Sequence, residues 1–255
     1  MDRFISSYIK NQDIPWAEHL GELRKRIIYC LIFFILAMIF GFVFSKDIVS
    51  FLKQGPGASQ IDWHVFGIPE ALSVYIKVSV IIGLIVSFPF FLYQIWAFAK
   101  PGLKRNEQRL ALQFIPAATF LFLLGISFSY FILFPMLLKF MIGLTTSLQA
   151  EEMFGITQFF SFLFTIILPF GVLFELPIIV VFLTRIGVLN PFVLTKARKI
   201  AYFVLVIIAC VITPPEFISE ILVSIPLLLL YEFSIWLSKR AYRKYTVENE
   251  EIHKS

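Results

Sequence analysis

Charged residues are scarce in this 255-residue sequence: Asp, Glu, Lys and Arg together make up 15%, whereas soluble domains carry about 25%. The two cysteines, Cys30 and Cys210, fall inside apolar runs and give neither a disulfide framework nor a metal-ligand spacing. The three histidines, His19, His64 and His253, all lie outside those runs. No Ser–His pair, His-rich metal site or phosphate-binding loop is visible, so the sequence predicts no catalytic residue, no metal and no cofactor.

Apolar residues are abundant instead, at 59% of the chain with 31 Phe and a mean hydropathy of +0.85. Several uncharged stretches reach about 18 residues, which is enough for a helix to cross a hydrocarbon core of about 30 Å. The sequence therefore predicts an all-α integral membrane protein with six transmembrane helices. The predicted spans cover residues 27–44, 78–99, 110–138, 159–184, 200–212 and 218–236.

The two C-terminal spans are predicted to be shorter than the others, because Pro214 and Pro215 interrupt the apolar stretch 200–238. The fifth span would be only about 20 Å long at 1.5 Å per residue. Two explanations are open for so short a span. Neighbouring helices shield it from lipid, or the bilayer is locally thinned around it.

The distribution of Lys and Arg predicts that both termini are cytoplasmic. All but four of the 22 basic residues fall before the first span, in the second or fourth loop, or after the last span. The net charge of +5 is then a topology signal and does not indicate nucleic-acid binding. Three regions follow: a cytoplasmic N-terminal amphipathic segment at 1–26, a six-helix domain at 27–238 and a cytoplasmic charged tail at 239–255.

Two acids, Glu22 and Glu107, stand beside span ends on the predicted cytoplasmic side. Glu22 lies four residues before Arg26, the spacing of an intrahelical ion pair worth about 0.2–0.5 kcal/mol. Glu107 follows a turn at Pro101 and Gly102 in a basic loop, where a solvated charge is the plain interpretation. Alternatively, the two carboxylates could each grip a guanidinium through a bidentate pair, which would suit a ligand with adjacent arginines.

Glu175 is the only charged residue in the apolar run 159–183, and an acid at such depth costs about 2.5–3.5 kcal/mol to insert. Pro169 and Pro177 flank it, and kinks at these prolines can open a concave groove around the acid. Three roles are open for Glu175: docking of a partner's polar group, a structural hydrogen bond to a neighbouring helix, or a proton relay. Glu216, just before the sixth span, either caps that helix or contacts a partner.

Four motifs in this sequence resemble those of the TatC family, the multispanning subunits of the twin-arginine protein translocase. The N-terminal signature is His19-Leu-Gly-Glu-Leu-Arg-Lys-Arg26, and the first cytoplasmic loop is Trp96-Ala-Phe-Ala-Lys-Pro-Gly-Leu103 with Asn106-Glu-Gln-Arg109. Phe170-Gly-Val-Leu-Phe-Glu-Leu-Pro177 and Thr213-Pro-Pro-Glu216 resemble the fourth-span and last-outer-loop motifs. The resemblance covers residues 16–240, and four motifs in this order are specific where any one alone would be weak.

The resemblance implies a receptor and core subunit that binds Arg-Arg signal peptides of folded proteins at the cytoplasmic face. The implied signal-binding residues are Glu22, Glu107, Phe98, Leu103, Arg24 and Arg109. The implied contacts for single-span partners of the TatA/TatB type are Glu175 and Glu216. The implied structural residues are Pro101, Pro169, Pro177, Pro214 and Pro215. Export would be driven by the proton-motive force across the bacterial cytoplasmic membrane, and membrane lipid and further copies of the chain are expected as additional partners.

Two departures from the family pattern affect this transfer of roles. Glu216 stands where the outer-loop motif usually has Asp, which keeps the charge and adds a methylene. The segment around Glu107 lacks the doubled basic pair that often follows the acid, and this leaves Gln108 without a role.

Two other classes of protein compete with this interpretation. The first is a proton-coupled small-solute transporter that uses Glu175, but the sequence has no internal repeat and only one deeply buried acid. The second is an intramembrane enzyme, but no paired catalytic constellation is present in the sequence.

Overall fold

The computed structural model describes residues 14–56, 58, 63–147, 154–213 and 216–252. Within these ranges the chain is almost wholly helical. The helices are α1 (Ile14–Val43), α2 (Ser45–Lys53), α3 (Glu70–Ala99), α4 (Arg105–Phe128), α5 (Phe134–Ser147), α6 (Ile156–Leu173), α7 (Leu176–Arg185), α8 (Pro191–Lys196), α9 (Arg198–Ile212) and α10 (Phe217–Ile252). A 3-10 turn at Lys100–Gly102 joins α3 to α4, and a π-helical turn at Ser129–Leu133 joins α4 to α5. Two short strands, β1 (Trp63–His64) and β2 (Phe154–Gly155), pair in parallel.

Within the described residues, five helical segments are long and apolar enough to cross a membrane. They are His19–Val43, Glu70–Gly102, Glu107–Thr145, Ile156–Arg185 and Phe217–Arg243. The all-helical membrane fold is thereby confirmed. The remaining predicted span corresponds to α9, which has 15 residues and is about 22 Å long. Pro214 and Pro215, which were expected to end it, lie outside the described residues.

The third predicted span contains two prolines and stays helical throughout. Pro116 lies inside α4, and Pro135 is the second residue of α5, directly after the π turn. In a regular α-helix Pro135 would clash with the carbonyl four residues before it and would leave that carbonyl without a donor. The wider π turn takes up this misfit, and it buries Ser129, Tyr130 and Leu133.

The fourth predicted span breaks at the expected place. α6 ends at Leu173 and α7 begins at Leu176, so Glu175 lies in the break between them. Pro177 is the second residue of α7 and has no N–H to donate to the carbonyl of Leu173. The predicted kink is confirmed at Pro177, while Pro169 lies inside α6.

Helices α4 and α6 cross at close range near this break. A Cβ atom built on Gly125 would lie 2.8 Å from the carbonyl oxygen of Phe170, and one built on Gly171 would lie 2.8 Å from the ring of Phe122. Small residues allow membrane helices to approach in this way. The crossing fixes α6 against α4, and with it the position of Glu175 one turn after Gly171.

Helix α6 lies at the centre of the bundle. Its side chains Phe160, Leu163, Ile166 and Phe170 are fully buried. The same apolar cluster takes in residues of α3, α5, α9 and α10, among them Val78, Leu137, Ala209 and Leu227. Large apolar side chains on the outer faces, such as Leu36, Phe131 and Leu229, are exposed, and a bilayer would cover them.

Helix α10 is longer than the sequence led us to expect. The sixth span was predicted to end at residue 236, yet the helix continues through most of the predicted tail to Ile252. The expectation of two shorter C-terminal spans is therefore right for α9 and wrong for α10. The physical reason is that hydropathy marks where the chain leaves lipid, whereas the segment after Trp236 is rich in good helix formers and contains no Gly or Pro.

Candidate functional site

The first part of the site is the contact between the start of α1 and the end of α3, and Arg26 forms its centre. The Arg26 guanidinium donates to Oε1 of Glu22 from Nε at 3.1 Å and from Nη2 at 2.5 Å. It also donates across to α3, from Nη1 to Oε1 of Gln94 at 3.1 Å and from Nη2 to the carbonyl oxygen of Ala97 at 3.0 Å. Arg26 therefore fastens Glu22 to the end of the neighbouring span.

The intrahelical pair that the spacing of Glu22 and Arg26 predicted is confirmed. The pair does not remove the acid from the surface, because the Glu22 side chain remains 37% exposed. One turn earlier on α1, the His19 ring stacks on the ring of Phe98, with centroids 4.3 Å apart. Phe98 is half-buried at the end of α3. The stacking is a second contact that holds the start of α1 against α3.

The second part of the site is the first turn of α4. Glu107 is half-buried, and its Oε2 accepts the backbone N–H of Lys104 at 3.0 Å. This is the geometry of an acid in the first helical turn that caps the helix start. Glu107 therefore lies in a helix and not in a loop, and one of its oxygens is held by the backbone; the choice between a solvated charge and a ligand-binding acid stays open.

Gln108, for which no role was predicted, holds the turn between α3 and α4 together. Its Nε2 donates to the carbonyl oxygens of Lys100 and Leu103, both at 2.9 Å. The backbone carbonyl oxygen of Gln108 accepts the indole N–H of Trp96 at 3.1 Å. The turn is thus fixed to the last turn of α3, the same helix end that holds Glu22.

The remaining predicted signal-binding residues differ in their surroundings. Leu103 is half-buried, and Pro101 lies exposed in the 3-10 turn before it. Arg24 and Arg109 are both exposed. The structure does not bring either arginine into a salt bridge within the ranges that it describes.

An apolar groove of about 200 Å³ connects this turn to the break between α6 and α7. Leu103 lies in its lining, and so does Glu175. The walls come from α3, α4 and α7 and include Ile95, Trp96, Phe114, Ile115, Ile178 and Phe182. One residue predicted to bind the signal, Leu103, and one predicted to bind a partner, Glu175, therefore line the same groove.

Glu175 is the one acid in the lining of this groove, and it is only 5% exposed. Its carboxyl lies against the backbone of Phe122 in α4. Its Oε1 has no hydrogen-bond partner in the described part of the chain. A buried polar atom without a partner costs about 1–3 kcal/mol, so this oxygen is a point at which a bound group could add a hydrogen bond.

Glu216 lies directly before α10, and its carbonyl oxygen accepts the N–H of Glu220 at 3.1 Å. The predicted position at the start of the last span is confirmed. Its Oε2 is buried and has no partner among the residues that the structure describes. The choice between a capping role and a partner contact stays open for Glu216.

Sequence reasoning missed the polar residues inside the helices that brace the site. Gln94 is buried near the end of α3, and a lone amide in an apolar span close to a basic segment is the signal that could have identified it. Glu232 in α10 forms a salt bridge with Arg198 at 2.7 Å. Tyr202 donates to the same carboxylate, so the pair joins α9 to α10.

Together, these features define a class of protein. A bundle of membrane-spanning helices, with a kinked central helix that carries a buried acid and with carboxylates fixed at one rim, is a multi-pass membrane protein. A family model described as "Sec-independent protein translocase protein (TatC)" matches residues 18–226. The chain belongs to the TatC family. It is a subunit of the Sec-independent protein translocase and resides in the bacterial cytoplasmic membrane.

Similar proteins support this assignment over nearly the whole chain. The protein TatC of Halalkalibacterium halodurans is 46% identical over 236 residues, which cover 92% of this chain and 93% of the relative. TatCy of Bacillus subtilis is 44% identical over 236 residues, which again cover 92% of this chain and 93% of the relative. A crystal structure of the "Twin Arginine Translocase Receptor- TatC" is 35% identical and superposes with a TM-score of 0.78, covering 88% of this chain and 99% of that one.

Proposed function

We propose that this protein is the receptor subunit of the translocase and binds Arg-Arg signal peptides through Glu22 and Glu107. The observation that carries the proposal is that both acids are fixed to one helix end, the last turn of α3. Arg26 ties Glu22 to Gln94 and Ala97, and the Trp96–Gln108 contact ties the α4 turn to the same place. Two carboxylates held on rigid elements suit a ligand that presents two guanidinium groups in sequence.

The surroundings of the acids supply selectivity. Basic residues dominate this rim, including Arg24, Lys25, Lys104, Arg105 and Arg109. A cationic segment that does not place its charges on Glu22 and Glu107 meets like charge and is rejected. Phe98 and Leu103 add apolar contacts beside the acids.

Recruitment of single-span partners of the TatA/TatB type is the second part of the proposal. Glu175 supports it because Oε1 is buried, lacks a partner among the described residues and lines an open groove. A polar side chain on a partner helix would supply the missing hydrogen bond. We place Glu216 at a second partner contact, at the start of α10.

The topology that we propose has six spans, with α9 as the fifth, and both termini in the cytoplasm. The basic rim formed by the α1 start, the α3–α4 turn and the α10 end fits this orientation. The protein acts by binding and not as an enzyme, and the energy for export comes from the proton-motive force. Family membership favours this role over the alternative of a small-solute transporter that uses Glu175.

Signal-peptide affinity tests the receptor role. Glu107→Gln separates charge from helix capping, because a glutamine oxygen can still accept the Lys104 N–H while the charge is lost. We expect Glu107→Gln and Glu22→Gln each to weaken binding of a fluorescent Arg-Arg signal peptide by about tenfold, the cost of one charged hydrogen bond of about 1.5 kcal/mol.

The control for this experiment is Asp47→Asn, which removes an exposed acid from α2. It should leave the affinity unchanged, and a Lys-Lys peptide should bind the wild type more weakly than the Arg-Arg peptide. Unchanged affinity of both glutamine variants for the Arg-Arg peptide would refute the assignment.

A further inference from the structure

A pocket that the proposed function does not use lies at the far end of the last span. It is formed by α8 and the charged end of the span Phe217–Arg243 in α10, and its volume is about 390 Å³. The lining is Pro191, Phe192, Trp236, Lys239, Arg240, Tyr242 and Arg243. Three of these side chains are cations, and the lining includes no acid.

The cations are arranged for binding an anion. Lys239, Arg240 and Arg243 follow one another within little more than one helical turn, and all three are exposed. The guanidinium of Arg240 lies over the ring of Trp236, 3.8 Å from its centroid, which orients the charge through a cation–π contact. Glu232, the acid that precedes these cations on α10, is already bound by Arg198 and Tyr202. Among the described residues, neither Lys239 nor Arg240 forms a salt bridge.

Contacts behind the pocket hold its helices together. The hydroxyl groups of Thr184 and Ser238 are 2.7 Å apart and buried, and they join α7 to α10. Tyr231 donates its hydroxyl to the carbonyl oxygen of Leu194 at 3.0 Å, which fastens α8 to α10. Asn190 accepts the N–H of Phe192 at 3.0 Å and begins α8. The lining residues are therefore mounted on helices that are fixed to each other.

The position of the pocket indicates that its ligand also has an apolar part. Trp236 is 46% exposed and Phe192 is 77% exposed, and both stand where the apolar part of the span Phe217–Arg243 gives way to charge. Phe233 stacks on Trp236 and continues the exposed apolar face toward the bilayer core. A free anion would leave this apolar surface unused. Basic pockets at the membrane boundary between helices bind the headgroups of anionic lipids.

We propose that this pocket binds the phosphate headgroup of an anionic phospholipid between Lys239, Arg240 and Arg243, with an acyl chain along Phe233 and Trp236. The site is separate from the signal-binding and partner-binding residues. Its occupant is a lipid and not free phosphate, because the cations and the exposed aromatic face are used together.

Lipid binding to the purified full-length protein, measured by native mass spectrometry, tests the proposal. The probes are phosphatidylglycerol and phosphatidylcholine with the same acyl chains. We expect the wild type to prefer phosphatidylglycerol. The double variant Lys239→Gln/Arg240→Gln should bind it about 25-fold more weakly, because each lost cation near the surface reduces binding about fivefold. Binding of phosphatidylcholine should not change.

The matched control is Lys196→Gln/Lys199→Gln, which removes two exposed cations of α8 and α9 that lie outside the pocket lining. It should retain the preference for phosphatidylglycerol. Equal loss in the control and pocket variants would show a general charge effect and overturn the proposal. Displacement of phosphatidylglycerol by inorganic phosphate alone would identify a free-anion site and would also overturn it.

Discussion

Arg26 shows what a single residue adds to a pattern that the sequence already indicates. The spacing of Glu22 and Arg26 predicted an ion pair of small value. The structure adds the contacts of Arg26 to Gln94 and to the Ala97 carbonyl. These could not be predicted, because they join positions about 70 residues apart and depend on how α1 packs against α3.

Replacing Arg26 tests whether it fastens the two spans. We expect Arg26→Gln to lower the free energy of unfolding by about 1–3 kcal/mol, because Gln94 and Ala97 lose their donor. Hydrogen exchange at the start of α1 should become faster. The matched variant is Lys25→Gln, which removes an exposed neighbouring charge and should change neither quantity. Equal behaviour of the two variants would contradict a bracing role for Arg26.

Glu175 is the residue at which the three roles proposed from the sequence can be separated. Its Oε1 has no partner among the described residues, so Glu175→Leu breaks no hydrogen bond of that atom. We expect this variant to unfold near the wild-type temperature, since the loss of the contact with the Phe122 backbone is offset by removal of a buried polar atom without a partner. Co-purification of a single-span partner should be lost.

The control for Glu175 is Ile179→Leu, which changes an apolar side chain in the same groove and should keep partner binding. A large fall in stability of Glu175→Leu with partner binding retained would favour a structural carboxyl. Retention of partner binding with loss of export alone would favour a proton relay.

At the scale of elements, the bends in the helices were predictable to different degrees. The break beside Glu175 follows from Pro177, whose missing N–H is visible in the sequence. The π turn at Ser129–Leu133 was not predicted, because Pro135 indicates a misfit but not how the backbone absorbs it. The end of α10 was misplaced because a hydropathy boundary was taken for a helix boundary.

The crossing of α4 and α6 positions the groove, and Gly125 tests it. We expect Gly125→Ala to lower the free energy of unfolding by about 1–3 kcal/mol, because the new methyl group meets the Phe170 carbonyl oxygen and backbones must move apart. Thermal unfolding in detergent measures the effect.

Gly143→Ala provides the comparison, since a Cβ on this helical glycine of α5 meets nothing within 4 Å. It should be neutral or stabilising, because alanine favours helix over glycine by about 1 kcal/mol. A Gly125→Ala protein as stable as Gly143→Ala would show that the close approach of α4 and α6 is not required.

At the scale of the whole molecule, the sequence predicted the class and the order of the spans but not their assembly. Long uncharged runs and four ordered motifs were sufficient for the class, since both are local signals. The groove from Leu103 to Glu175 was not predictable as a shape, because its walls combine the neighbouring helices α3 and α4 with α7, which is distant from them in sequence. The prolines indicated only that a concavity could form around the acid.

Helix α9 bears on how the molecule meets the bilayer. Of the two explanations for its short length, complete shielding by neighbours does not fit the exposed side chains of Ile200, Phe203 and Val211. A helix of about 22 Å with an exposed apolar face is shorter than a hydrocarbon core of about 30 Å. In the six-span topology that we propose, this geometry favours local thinning of the bilayer beside α9.

We propose that the fixed acids at the end of α3 recognise the two arginines of a signal peptide. A double-mutant cycle between receptor and peptide measures this contact directly, with Glu107→Gln on one side and an Arg-Arg to Gln-Gln change on the other. We predict a coupling energy of about 1–2 kcal/mol, because the two changes remove the same charged hydrogen bonds. Losses that simply add, with no coupling at Glu107 or at Glu22, would contradict the claim.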